Sequence, residues 1–307
     1  MDQLTFVTTV FPGRSLFDLH LLLASLRDFG GEQANAPVWV CIPENLVEVP
    51  TRVQEHFTAL DVGLLKFQAD TRIQSFPFGA RVQAAYVAEK ALAGKSNFLA
   101  WLDSDTIILQ EPDEFLLPPG IILGCRPVHH RLLGTRWGEA LDPFWELVYL
   151  KCRASFDATD HMTTHTGEKI SPYFNAGSFV VRPEVGLLKS WWRVFLGQMH
   201  SADFLPFYSK DKRYPIFLHQ AIFTGVILAA LDKGQRLEFG PRINYPLHLH
   251  QEIPPDLRAE SINDLVTVRC ESILDEPGWN DHLPIHEPLL SWLENQHRLI
   301  RKLSESL

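Results

Sequence analysis

The chain has 307 residues, 46% of them hydrophobic, which is long enough for one large α/β core and excludes a mini-protein stapled by disulfides or a structural metal. With 28 basic against 37 acidic side chains and a formal net charge of -9, it carries no global positive field to collect nucleic acid or anionic lipid, which leaves room only for a local basic pocket. Cys41, Cys125, Cys152 and Cys270 are widely spaced without a CxxC pair, Met1 to Val10 is too polar for a signal peptide, and no apolar run reaches roughly 18 residues. Reduced thiols and a soluble, cytoplasmic protein are therefore expected.

Leu4 to Val10 is β-branched and apolar, Phe11-Pro12-Gly13 breaks it, and Leu16, Leu19, Leu22, Leu23 and Leu26 then follow a helical period. Val38 to Ile42, between Pro37 and Pro43, reads as a second strand, a short helix begins near Thr51, and Val62 to Phe67 forms a third strand. The small and apolar residues Val82, Ala85, Tyr86, Ala88 and Leu92 give Gly79 to Leu92 a helical face, which Gly94 ends. Phe98 to Leu102 is a continuous apolar strand running straight into Asp103-Ser104-Asp105, and Thr106 to Leu109 resumes as a short strand.

From Pro127 to Ile170 the pattern loosens, with a helix from Pro143 to Lys151, and this stretch reads as an acceptor-side insertion. A strand returns at Ser178 to Val181, a helix carries Trp191 and Trp192, another runs from His219 to Leu231, a late strand spans Leu265 to Cys270, and Pro288 to Leu303 is an amphipathic helix. Strands alternating with helices imply a mostly parallel sheet covered on both faces. No linker divides the chain, so residues 1–287 are expected to form one domain and 288–307 a C-terminal helix.

Acids at the carboxyl end of a buried strand lie where open α/β sheets bind their ligands, and Asp103 and Asp105 can both reach one hard divalent cation. An apolar strand has no packing reason to end in two acids. Phe174-Asn175-Ala176-Gly177 is the second feature: small residues admit a ligand close to the backbone, and the Asn175 amide hydrogen-bonds in two directions. Leu218-His219-Gln220-Ala221-Ile222 at a helix start and Asn244-Tyr245-Pro246-Leu247-His248-Leu249-His250 late in the chain complete the set.

In this order and spacing, from about Leu4 to His250, these features resemble glycosyltransferase family 8 and its glycogenin-like and bacterial galactosyltransferase-like relatives. The pairing of Trp101-Leu102-Asp103-Ser104-Asp105 with Phe174-Asn175-Ala176-Gly177, about 70 residues apart, is its most specific part. The resemblance implies a GT-A-type, Rossmann-like fold with a mixed, mostly parallel sheet flanked by helices. It further implies a nucleotide-sugar donor, a UDP-sugar first of all, and a carbohydrate or other hydroxyl acceptor, with retention at the anomeric carbon.

By the same resemblance, Mn2+ or Mg2+ is held by Asp103 and Asp105. Thr8, Arg81, Ser104 and Gly177 face the donor, and Asn175 and Gln220 lie at the reacting carbon. His219 stands where the family usually has Asp. The family's third metal ligand is a late-strand His before a Lys-Pro-Trp ending that this chain lacks, which leaves His250, His248 and Glu271 as candidates, His250 ahead of the others.

His161 and His165 have the spacing of a helical metal pair, but Thr163, Thr164 and Gly167 disfavour that helix and hence a zinc site. His129-His130-Arg131 reads as a loop near substrate or simply a solvated one. Two other functions stay open on the sequence: a non-catalytic nucleotide-sugar-binding protein, and a nucleotidyltransferase, which Phe11-Pro12-Gly13-Arg14 fits poorly for want of a glycine-rich loop.

Overall fold

The computed structural model describes residues 3–10, 16–275 and 278–304. In chain order the first half comprises β1 (Leu4–Thr9), α1 (Leu16–Phe29), β2 (Val38–Pro43), α2 (Thr51–Ala59), β3 (Val62–Phe67), α3 (Gly79–Leu92), β4 (Phe98–Leu102), β5 (Thr106–Ile108) and β6 (Leu123–Pro127). There follow α4 (Pro143–Cys152), β7 (Met162–Thr163), β8 (Lys169–Ile170), β9 (Phe174–Val181), α5 (Leu187–Gln198), α6 (Leu205–Lys210) and α7 (Arg213–Ala230). The last elements are β10 (Arg236–Glu238), β11 (Tyr245–Pro246), β12 (Thr267–Arg269) and α8 (Leu289–Ser304).

Seven strands form the main sheet in the order β10-β6-β9-β4-β1-β2-β3, and β9 alone runs against its neighbours β4 and β6. A mixed, mostly parallel sheet is thus what the alternating pattern led one to expect. Alternation within single strands feeds two separate cores, as the pleat requires. In β4, Leu99 and Trp101 face the layer of α3, α5 and α7, whereas Phe98, Ala100 and Leu102 face the side of α1 and α2. Because both faces are covered, β1, β4 and β9 are buried at every residue and carry no polar alternation.

On α3, Ala80, Ala84 and Ala88 recur four residues apart and are buried, which lets the helix lie close to its neighbours. Trp101, Phe179, Phe223 and Trp191 continue that core as stacked and tilted rings, with centroids 4.6 to 6.3 Å apart. A second, three-stranded sheet, β11-β12-β5, branches off after β4 and packs beneath α8 through Ile107, Val268, Leu289 and Leu293.

Two boundaries differ from expectation in ways that matter to the site. The helix bearing Gln220 starts at Arg213, two turns earlier, because Pro215 sits in its first turn, where a missing N–H costs nothing. Asn175 and Gly177 lie inside β9, which begins at Phe174 and not Ser178, and the register shifts opposite them between Cys125 and Pro127. Within 127–170, Phe144, Trp145, Tyr149 and Ile170 join the main core, and α4 packs on α7. No described helix is long and apolar enough to cross a membrane, and all four cysteines are buried free thiols.

Candidate functional site

The site forms where β4, the middle strand, ends. Asp103 N–H donates to the Gly177 carbonyl at 2.8 Å, and Thr106 N–H closes a turn on the Asp103 carbonyl at 3.0 Å, sending the chain into β5. β5 pairs antiparallel with β12, so that Arg269 lies opposite Thr106, and Cys270 N–H donates to the Asp105 carbonyl at 3.0 Å. An arginine from a strand late in the sequence is thereby delivered onto the two acids.

Arg269 Nη1 donates to Asp103 Oδ2 at 2.8 Å and Nη2 to Asp105 Oδ2 at 3.0 Å, while Nε lies 2.8 Å from Asp105 Oδ1. Arg81, in the first turn of α3, adds a bond from Nη2 to Asp103 Oδ2 at 2.6 Å and one from Nη1 to His219 Nε2 at 3.1 Å. Arg81, Asp103, Asp105 and Arg269 are all under 9% exposed. Desolvating charge costs several kcal/mol per ion, so such a cluster is poor evidence of stabilisation and marks a candidate functional site.

Electrostatics follow from that burial. Burial opposes the charge on Arg269, but Asp105 and Asp103 outweigh it and hold the guanidinium above the usual arginine range. Burial also raises the Asp103 carboxyl, against the pull of Arg81 and Arg269. Burial pushes His219 well below the ordinary imidazole range, and Arg81 beside it adds to the effect. Because Nε2 of His219 accepts from Arg81, its Nδ1–H donates to the Ile216 carbonyl at 2.9 Å, which assigns one neutral tautomer.

The cluster floors a cavity of about 250 Å³ whose lining includes Phe78, Arg81, His129, His130, Asn175, Gly177, Gln220, His248, Arg269 and Glu271. Burial lowers His129, with His165 and Arg269 adding to it, and burial lowers His248 against the opposing pull of Glu271. Arg81 and Arg269 supply permanent positive charge to the cavity. Three lining residues, Phe78, Leu132 and Glu271, have φ of 57°, 50° and 46°, a left-handed conformation that non-glycine residues hold at a cost of about 1 kcal/mol or more and that concentrates at functional sites. A larger, more open hollow between α3 and α5, about 960 Å³ and lined by Tyr86, Lys90 and Trp192 among others, lies away from the acids.

Asn175 Oδ1 accepts the Gly177 N–H at 2.7 Å, and its Nδ2 lies 3.4 Å from His129 Nε2. Gln220 Oε1 accepts the Ala176 N–H at 3.0 Å, so this amide braces the bulged strand as well as facing the cavity. Gly177 is bare for a reason: a Cβ there would meet Arg269 Nη1 and come within 2.6 Å of Asp103 Oδ2.

Of the expected residues, Arg81, Asn175, Gly177 and Gln220 meet at the cavity, with Asp103 and Asp105 beneath it. Thr8 and Ser104 are buried at 1% and 5% exposure and do not line it. His161 and His165 flank and follow a strand of the β7–β8 hairpin and share no helix. His129 and His130 do line the cavity.

A divalent cation does not fit these residues as they stand. The expected set of Asp103, Asp105 and His250 is not brought together: His250 does not line the cavity above the acids, and its Nδ1 is bonded to the Tyr245 hydroxyl at 2.8 Å in a 3-10 turn. Both carboxylates are taken by guanidinium, and among the described residues no group of three or more His, Cys, Asp and Glu side chains converges to hold a metal ion. The sequence points to His250 and His248 ahead of the late strand and to Glu271 beyond it, and gives no role to Arg269 within it. The available signal was a lone charged residue inside the apolar run Leu265 to Cys270.

Residues 7–209, about two thirds of the chain, match the model of the Rhodobacterales glycosyltransferase domain. No curated protein matches the sequence. Among solved structures, the galactosyltransferase LgtC in complex with donor and acceptor sugar analogues is 13% identical, covering 96% of this chain and 94% of its own at a TM-score of 0.53. The apo form of mouse xyloside xylosyltransferase 1 is 10% identical, covering 88% of this chain and 97% of its own at a TM-score of 0.47. Likeness to LgtC extends the GT-A fold over nearly the whole chain, and the family match identifies the protein as a glycosyltransferase enzyme belonging to the Rhodobacterales glycosyltransferase domain family.

Proposed function

We propose that the enzyme transfers a sugar from a nucleoside diphosphate donor, a UDP-sugar first of all, to a hydroxyl acceptor with retention at the anomeric carbon. The observation that carries this reading is the buried Asp103–Arg269–Asp105 cluster lying under Asn175 and Gly177 in one cavity at the end of the middle strand. In transfer, the bond between the anomeric carbon and the diphosphate oxygen breaks and the acceptor oxygen bonds to that carbon. The acceptor's proton passes to the departing phosphate oxygen, so no strong protein base is required.

Arg81 and Arg269 face the charge that builds on the leaving diphosphate, where fixed donors in a low-dielectric site act most strongly. With its oxygen held by the Gly177 N–H, Asn175 presents its NH₂ group as a donor to a sugar oxygen. Gln220 and its backbone partner keep that stretch of β9 in place. Purified enzyme incubated with UDP- and GDP-sugars is expected to release the nucleoside diphosphate and to speed up with the right acceptor. Release from no nucleotide sugar, together with no thermal stabilisation by any of them, would overturn the proposal.

A further inference from the structure

We infer that Arg269 takes the place in this site that the family resemblance gives to a divalent cation, gripping the donor's diphosphate directly, so that a nucleoside diphosphate binds without added metal. The inference rests on the reading of the donor as a nucleotide sugar and concerns how that donor is held.

Position comes first. β12 is the late strand beside the acids, where the resemblance calls for a histidine, and it contributes a guanidinium to both carboxylates instead. Neither alternative histidine completes a metal set: His250 does not line the cavity, and among the described residues no three His, Cys, Asp or Glu side chains converge to hold an ion, His248 and Glu271 included.

Geometry and charge agree with the exchange. A guanidinium has five N–H donors in a rigid fork; Nη1 and Nη2 of Arg269 each direct one to an aspartate and Nε lies 2.8 Å from Asp105 Oδ1, which leaves one donor on each terminal nitrogen. That planar pair suits phosphate oxygens in a way an ammonium does not. With both carboxylates ionised, Arg81 and Arg269 bring the cluster to zero net charge, so the acids are balanced before any cation arrives. The missing side chain at Gly177 makes the space for this, since a Cβ would land on Arg269 Nη1.

The test is calorimetry of UDP and GDP binding to the full chain, in EDTA and in MnCl2, for wild type, Arg269→Lys and Arg269→His. Wild-type affinity is expected to differ by less than about threefold between the two buffers, while Arg269→Lys, which keeps the charge and loses the fork, weakens about tenfold or more in both. Arg269→His, which gives the two acids an imidazole, is expected to bind weakly in EDTA and recover in Mn2+.

Wild-type binding that vanishes in EDTA and returns with Mn2+ would overturn the inference while sparing the nucleotide-sugar reading. So would a wild-type melting temperature raised by Mn2+ alone. A folded wild type that binds neither nucleotide in either buffer would sink both. The wild-type measurements decide the matter even where a variant fails to fold.

Discussion

Nη2 of Arg81 lies 2.6 Å from Oδ2 of Asp103, joining the first turn of α3 to the tip of the middle strand. The other terminal nitrogen of Arg81 donates to His219 on α7, and Phe78 lies beneath both, its ring 4.4 Å from the guanidinium carbon and 4.6 Å from the His219 ring. His219, the residue that departs from the family's aspartate, therefore acts here as a neutral acceptor that orients Arg81.

Gly177→Ala is expected to disable the site through one methyl group. Its Cβ meets Arg269 Nη1 and Asp103 Oδ2, so the ion pair must open or the strand must shift. Nucleotide affinity should fall by about tenfold or more and the melting temperature should drop, because a displaced buried charge is costly. Calorimetry and thermal melts measure both, and unchanged values would mean that Arg269 does not need this space.

Asp105→Asn tests the cluster as a structural unit. Asp105 is 3% exposed and paired with Arg269. A hydrogen bond to a charged group contributes about 1.5 to 3 kcal/mol, so a loss of this order is expected in urea titration, along with lost nucleotide binding. Wild-type stability would show that the pair is not formed in solution.

Asn175→Ala removes the acceptor of the Gly177 N–H and the NH₂ group offered to the sugar. A penalty of about 1 to 3 kcal/mol is expected on kcat/KM for the nucleotide sugar. Binding of the bare nucleoside diphosphate should weaken much less. Equal losses for the two ligands would move Asn175 away from the sugar.

Glu89 provides a pH-dependent test remote from chemistry. Its carboxylate leaves α3 to accept the Leu188 and Lys189 N–H groups at the start of α5, at 2.8 and 2.7 Å, and burial raises its pKa to about 7. A carboxyl raised in the folded state binds its proton more tightly there than in the unfolded chain, whose value is 4.5. Its contribution is fully present below the unfolded value and is lost as pH rises through about 7. Melts of wild type and Glu89→Gln across that window should show the wild type losing ground to the variant as pH rises, and parallel curves would refute the assignment.

Most of the architecture could be read from the sequence because the strands carrying it are continuous apolar runs and the helices keep a helical period. Phe98 to Leu102 running into two acids points to the candidate site. What escaped was contact across sequence distance: β12 shows only a short apolar stretch, and nothing local says that Arg269 lies opposite Thr106. The start of β9 was misread because Asn175, Ala176 and Gly177 look like a turn, whereas a register shift keeps them in the sheet. Thr8 enters the expected set by likeness alone, and the structure buries it outside the lining of the cavity.

The reach from β4 to β12 also sets an order of assembly. Arg269 is separated from Asp103 by 166 residues and from Asp105 by 164, so a chain emerging from the ribosome presents both acids long before their cation exists. Until β9 is made, β4 has one open edge, and even then Arg81 is the arginine that reaches its acidic tip among the described residues made by that point. The floor of the candidate site is thus completed by the last third of the polypeptide, and a nascent or truncated chain ending before β12 carries an acidic tip with half its arginine counter-charge.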